Sequence, residues 1–152
     1  MQNKYADEGM SLIVKTITRF TVWLIFLYGL YIFIHGHLSP GGGFAGGVII
    51  ALSYVHLTLA YGKNFVSERI NRSAMHNLEA LSAIFYILIG LIGLYIAENF
   101  LQNFLGKGTL YHIISAGYIP ILNLVICVKV GMGLYLVFYY LASYQVKKTG
   151  VN

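Results

Sequence analysis

The sequence predicts an all-α integral membrane protein, a bundle of four transmembrane helices with both ends in the cytoplasm. Three observations predict it. Hydrophobic residues make up 58% of the chain and charged residues only 10%, against about 25% charged in a soluble domain. The 152 residues would build too small a core to hide that much apolar surface from water. The apolar residues also gather into runs of membrane-crossing length, and the basic residues collect in every other connection between those runs.

A bilayer core of roughly 30 Å needs about 20 mainly apolar helical residues. The first such run extends from about Leu12 to Ile34 and opens on Lys15 and Arg19. It is too long for a signal-peptide core, and no small-residue cleavage pattern follows it before the next motif, so it is read as a span. The second extends from about Phe44 to Tyr61, the third from about Leu78 to Ala97, and the fourth from about Tyr118 to Ala142. All are apolar on every side, as spanning helices are, and none shows the alternation of a barrel strand. Together they make residues 1–152 a single membrane domain.

Basic residues set the direction. Lys4, Lys15 and Arg19 precede or open the first span, Lys63, Arg69 and Arg72 separate the second from the third, and Lys147 and Lys148 follow the fourth. The connection from His35 to Gly43 has none, and the one between Glu98 and Gly117 has only Lys107. The positive-inside rule therefore places both termini in the cytoplasm of a multi-pass protein of the cell membrane, with Tyr139, Tyr140 and Tyr144 in an inner aromatic belt. The formal charge of +5 is thereby accounted for. It forms no basic stripe for nucleic acid. Residues Asn99 to Gly108 read as an outer loop packed on its neighbours. Cys127 is the single cysteine, so no internal disulfide or paired-cysteine metal site is available.

The densest signal is the string His35-Gly-His-Leu-Ser-Pro-Gly-Gly-Gly-Phe-Ala-Gly-Gly47. Ser39 and Pro40 suit the cap and first position of the second helix. Gly41, Gly42 and Gly43 disfavour an isolated helix and imply an unusual backbone path or a close neighbour. Gly42 with Gly46 and Gly43 with Gly47 make two overlapping GxxxG spacings, and Ala51 continues the Gly47 face; small residues at this spacing let helices approach closely in lipid. Two readings stay open: a tight turn with a packing face, or exposed backbone groups that coordinate a cation or ordered water. A nucleotide loop is excluded, because the glycines follow an apolar helix and no GKT or GKS is present.

This string, with the spans around it, resembles the B subunit of Mrp-type (Mnh-type) multisubunit sodium/proton antiporters. It is also similar to the equivalent subunits of archaeal membrane-bound hydrogenase and sulfur-reductase complexes. The resemblance implies a hetero-oligomeric assembly in which Na+ and H+ are moved and several subunits share the path. It implies partnership with other antiporter subunits or, in a redox-driven complex, with hydrogenase or sulfur-reductase subunits.

Ionisable residues inside a span are costly and are functional candidates by default. Lys129 lies mid-way along the fourth span, too deep to snorkel to either surface. Lys129, Gly133 and Leu136 share a helix face, and Gly133 leaves room beside the ammonium. Lys129 is read either as a proton-relay or cation-repelling group, or as a salt bridge to another subunit. Glu79 opens the third span, where a carboxylate suits the helix dipole and Asn77 can cap; helix stabilisation and ion entry are both open. His56 in the second span is either a satisfied buried histidine or a proton-shuttle step. His35 and His37 flank Gly36 and suit packing or proton collection at the outer turn. A zinc site would need more ligands, and only His112 is available. Asn123 is expected to hydrogen-bond to another helix, and Cys127 to pack as a small apolar residue.

No nucleophile–base pair, phosphate loop, metal set or cofactor motif is present in the sequence. The expected role is a membrane subunit of a cation/proton antiporter module, without cofactor or autonomous catalysis, that contributes to assembly and to the ion path through Lys129, Glu79 and His56. Two alternatives stand beside it: the same subunit within a redox-driven pump, and a scaffold with no ion path.

Overall fold

A computed structural model describes residues 9–106, 108 and 115–149 of the chain. Its elements are α1 (Leu12–Ile34), α2 (Gly43–Tyr61), α3 (Lys63–Arg69), α4 (Arg72–Ala97) and α5 (Ile119–Thr149). No strand occurs among the described residues. Among the described residues, four helices are long and apolar enough to cross a membrane: α1, α2, α4 and α5 from Ile119 to Tyr144. The shortest, α2 with 19 residues, is about 28 Å long at 1.5 Å per residue, enough for a bilayer core of roughly 30 Å.

The third spanning helix starts at Arg72 rather than near Leu78. Its cap is Asn71, whose Oδ1 accepts the Ala74 N–H at 3.3 Å. Asn77 and Glu79 therefore lie inside the helix, and neither caps it. Apolarity marks where lipid begins; the capping side chain marks where the helix begins, and here the two differ by about a turn and a half. The short α3 fills the connection before it and turns its Val66 inward, where it is buried.

In space the spanning helices follow the order α1, α2, α5, α4. Each packs on the next, and α1 also touches α5. The central position of α2 shows in its burial: 44% of its apolar window is buried, against 11% for α1 and 17% for α4. The outer faces of both flanking helices, with Trp23, Leu24, Ile84 and Tyr95 among them, are exposed. Such faces need lipid or another protein.

One core cluster sits at the α3 end of the bundle and joins Val66, Met75, Tyr135, Leu136 and Tyr139. Thr58 Oγ1 donates to the Tyr54 carbonyl at 2.8 Å. Its single proton is thereby used, so the Tyr135 hydroxyl donates to Thr58 Oγ1 across 3.2 Å. Tyr139 is only 4% exposed, which removes it from the expected aromatic belt; Tyr140 and Tyr144 are exposed. At the opposite end the loop after α4 folds back on the bundle. Phe100 lies over Gly90, Phe104 stacks on Tyr118 at 5.4 Å, and the Tyr118 hydroxyl donates to the Leu101 carbonyl.

Candidate functional site

The glycine-rich turn is built from the end of α1. His35 N–H donates to the Tyr31 carbonyl, and the Ser39 N–H and Oγ both donate to the His35 carbonyl. Ser39 therefore extends the last turn of α1 and does not cap α2, and Pro40 is exposed outside the helix. The cap is Gly42, at φ 113° and ψ −170°, an essentially glycine-only conformation that costs a residue with a Cβ roughly 1–3 kcal/mol. Gly42 N–H reaches back to the Ile32 carbonyl at 3.4 Å, and Gly41 also has positive φ, at 153°.

Gly43, Gly46 and Gly47 each face a particular neighbour. Gly43 N–H donates to Asn123 Oδ1 at 3.4 Å, the interhelical hydrogen bond expected of Asn123. A methyl group on Gly43 would land on the Asn123 backbone. A methyl group on Gly46 would lie 2.8 Å from Phe33 Cβ and 2.9 Å from the Gly29 carbonyl oxygen, both in α1. One on Gly47 would lie 2.8 Å from the Cys127 carbonyl oxygen and 2.9 Å from Val130 Cβ, both in α5. The two glycine spacings thus face different helices of the same chain. Cys127 is buried in this contact. His35 closes onto its own helix: its Nδ1 lies 3.0 Å from the Tyr31 carbonyl oxygen, and its ring rests on Tyr31 at 4.2 Å. His37 is half-buried in the same turn. His112 and Lys107 fall outside the described residues.

The second site lies on the α4–α5 flank. Lys129 Nζ and Glu79 Oε1 are 3.2 Å apart. Lys129 is about 15 Å along α5 from Ile119 and about 22 Å from Tyr144, and Glu79 is about 10 Å into α4 from Arg72, at 1.5 Å per residue. Lys129 therefore sits mid-way along α5, and Glu79 meets it from one residue past Leu78, near where the apolar run of α4 begins. The pair joins two helices of one chain, so the ammonium has a counter-charge before any other subunit is added. Gly133 supplies the space. A Cβ there would come 3.7 Å from Glu79 Cδ, so any longer side chain would push on the carboxylate. Leu136 turns into the core.

The pair is not sealed. The Lys129 side chain is 47% exposed and that of Glu79 29%. Two clefts open beside it. One of about 280 Å³ is lined by Ser82, Tyr86 and Val125 together with Lys129. The other, of about 250 Å³, is lined by Phe44, Glu79, Lys129 and Gly133. Phe44 belongs to the glycine string, so the two regions singled out by the sequence meet at Lys129. Ser82 and Tyr86 were not among the sequence candidates; both fall on the Glu79 face of α4 by helical spacing, which was the signal available. Ser82 Oγ donates to the Glu79 backbone carbonyl at 2.7 Å. His56 is half-buried on α2 and has no hydrogen bond or ion pair with either member of the pair.

The family described as a domain related to the MnhB subunit of Na+/H+ antiporter matches residues 13–136. The chain belongs to this MnhB-related family. It is 36% identical over 117 residues to an uncharacterised protein of Methanocaldococcus jannaschii, a match covering 73% of this chain and 44% of that protein. It is 29% identical over 93 residues to the putative antiporter subunit mnhB2 of Staphylococcus haemolyticus, covering 61% of this chain and 65% of that subunit. The chain thus spans less than two thirds of each of these relatives. A solved chain of the membrane-bound sulfane sulfur reductase, an archaeal respiratory membrane complex, superimposes with a TM-score of 0.71 at 33% identity; the match covers 88% of this chain and 58% of that one. This MnhB-type chain is thus similar both to antiporter subunits and to part of a respiratory complex.

Proposed function

We propose that this MnhB-type chain is a membrane subunit of an Mrp-type cation/proton antiporter module, contributing to its assembly and to its Na+/H+ path. The observation that carries the reading is the Lys129–Glu79 pair, part-exposed on one flank at membrane depth. A charge there costs roughly 2.5–3.5 kcal/mol on insertion scales, and the two clefts beside the pair leave it room for water or for a further polar group. A proton taken up by Glu79 removes the counter-charge of Lys129. The ammonium then repels a cation or gives up a proton to the next polar group, so proton arrival and cation movement are coupled through one contact. Neighbouring antiporter subunits cover the flank. Following the basic residues, both termini face the cytoplasm and the glycine turn faces outward. The chain works within the cell membrane as a transporter subunit, without catalysis of its own.

The test is antiport in vesicles carrying assembled complexes. Lys129→Met is expected to impair cation-driven proton movement while the complex stays whole. Unchanged transport by a correctly assembled variant would sink the ion-path role. It would favour the scaffold alternative, in which neutralising Lys129, Glu79 and His56 together alters stability alone. A second reading keeps the same path but drives it by electron transfer in other subunits, and the likeness to the sulfane sulfur reductase chain favours it. Iron–sulfur or nickel–iron proteins retained in mild detergent would select it; antiporter subunits alone would select the first.

A further inference from the structure

We infer that the end of the bundle carrying α3 binds the phosphate headgroup of an anionic phospholipid, in a cleft between α3, the start of α4 and α5. The cleft holds about 880 Å³, within the range of sites that take a small molecule. Its walls carry Arg69, Arg72, Ser73, His76 and Asn77, and Glu68 is the one carboxylate lining it. Polar groups dominate this cleft, in contrast to the two beside Lys129, which are lined mainly by apolar side chains.

Both arginines are held by aromatic rings. Arg69 Cζ lies 4.7 Å from the centre of the Phe65 ring, and Arg72 Cζ lies 4.9 Å from that of Tyr139. A guanidinium laid on a ring keeps its N–H edge for an anion, and that fork matches two phosphate oxygens better than a lysine does. Tyr139 is itself fixed in the core, so the Arg72 fork is pre-positioned rather than loose. The first turn of α4 opens onto the same space, and its positive end suits an anion.

Position selects the source of the phosphate. The cleft stands where α4 enters and α5 leaves the span: Tyr140, which lines it, is 55% exposed and lies about one turn before Tyr144. A ligand here is at headgroup depth, and acyl chains would run down the apolar flank beside Tyr140. Under the proposed orientation this is the cytoplasmic leaflet, where anionic lipids attract basic side chains at about 1 kcal/mol, or about fivefold, per residue. Neither the antiport role nor the identity of the other subunits enters this inference.

The experiment uses the purified complex, stripped of lipid in mild detergent and offered equal amounts of phosphatidylglycerol and phosphatidylcholine. Retained lipid is counted by native mass spectrometry. The expected result is preferential retention of phosphatidylglycerol, lowered about twenty-five-fold in the Arg69→Gln/Arg72→Gln variant and unchanged in Arg19→Gln, whose arginine lies on α1. Arg72 packs on the core, so its loss can weaken the fold. Ser73→Glu keeps that packing and places a negative charge at the cleft, and it too is expected to abolish the preference. Equal retention by all variants, or no preference for the anionic lipid, overturns the inference. Inorganic phosphate or glycerol phosphate displacing the lipid at comparable concentration would keep a phosphate site but overturn the lipid as its occupant.

Discussion

Replacing Gly47 with alanine should weaken the bundle, whereas the same change at Gly131, across the same helix contact, should not. The added carbon at Gly47 would sit 2.8 Å from the Cys127 carbonyl oxygen, 2.9 Å from Val130 Cβ and 3.1 Å from the Gly131 nitrogen. Ordinary carbon contacts lie at about 3.5–4.0 Å, so α2 and α5 must separate by roughly 0.7 Å, a gap that forfeits a quarter to a half of the dispersion energy of the atoms lining it. Overpacking of this kind costs about 1–3 kcal/mol, partly offset by the helix preference of alanine over glycine, up to about 1 kcal/mol. The net loss is up to about 2 kcal/mol. At Gly131 the added carbon would meet nothing closer than 3.4 Å, so the propensity gain of about 0.5–1 kcal/mol stands alone. Unfolding of the two variants by denaturing detergent, followed by circular dichroism, measures the difference. A Gly47→Ala protein as stable as Gly131→Ala would refute the close approach of α2 to α5 on which the site depends.

Gly42→Ala should cost about 1–3 kcal/mol in the same titration. A Cβ there would have room, with Asn123 Oδ1 its nearest neighbour at 3.5 Å, so the whole penalty comes from φ 113°. Tyr135→Phe removes the hydroxyl that reaches Thr58 Oγ1 and should lower stability by about 0.5–1.5 kcal/mol, read as an earlier unfolding midpoint with antiport unchanged.

Hydropathy made the four membrane-length helices legible, because lipid asks for the same apolar run whatever the chain does around it. What it missed follows from forces it does not sample. The start of α4 is set by the Asn71 side chain, which lies outside the apolar run. The α3 helix is too short for a periodic signal and is held by the burial of Val66. Ser39 and Pro40 carry the usual marks of a helix start, yet the chain turns three residues later, at Gly42, because α2 must pass against the Asn123 backbone. The glycine spacings announced close packing without saying that Gly46 serves α1 and Gly47 serves α5. Lys129 stood out as a charge in a span, and Glu79 was noticed separately as a helix-start carboxylate. Their meeting depends on the register between α4 and α5, which neither helix encodes alone. Tyr139 likewise looked interfacial until Val66 and Met75 closed over it.

The Lys129–Glu79 contact gives the account its content, and exchanging the two charges tests it most directly. Sodium-driven proton movement would be measured in vesicles holding assembled complexes with Glu79→Gln, Lys129→Met, or the exchanged pair Glu79→Lys/Lys129→Glu. The expected result is a loss of at least about tenfold in each single variant, equivalent to about 1.4 kcal/mol, with partial recovery in the exchanged pair and all subunits retained. Single variants that assemble fully and transport at the unmodified rate would contradict it.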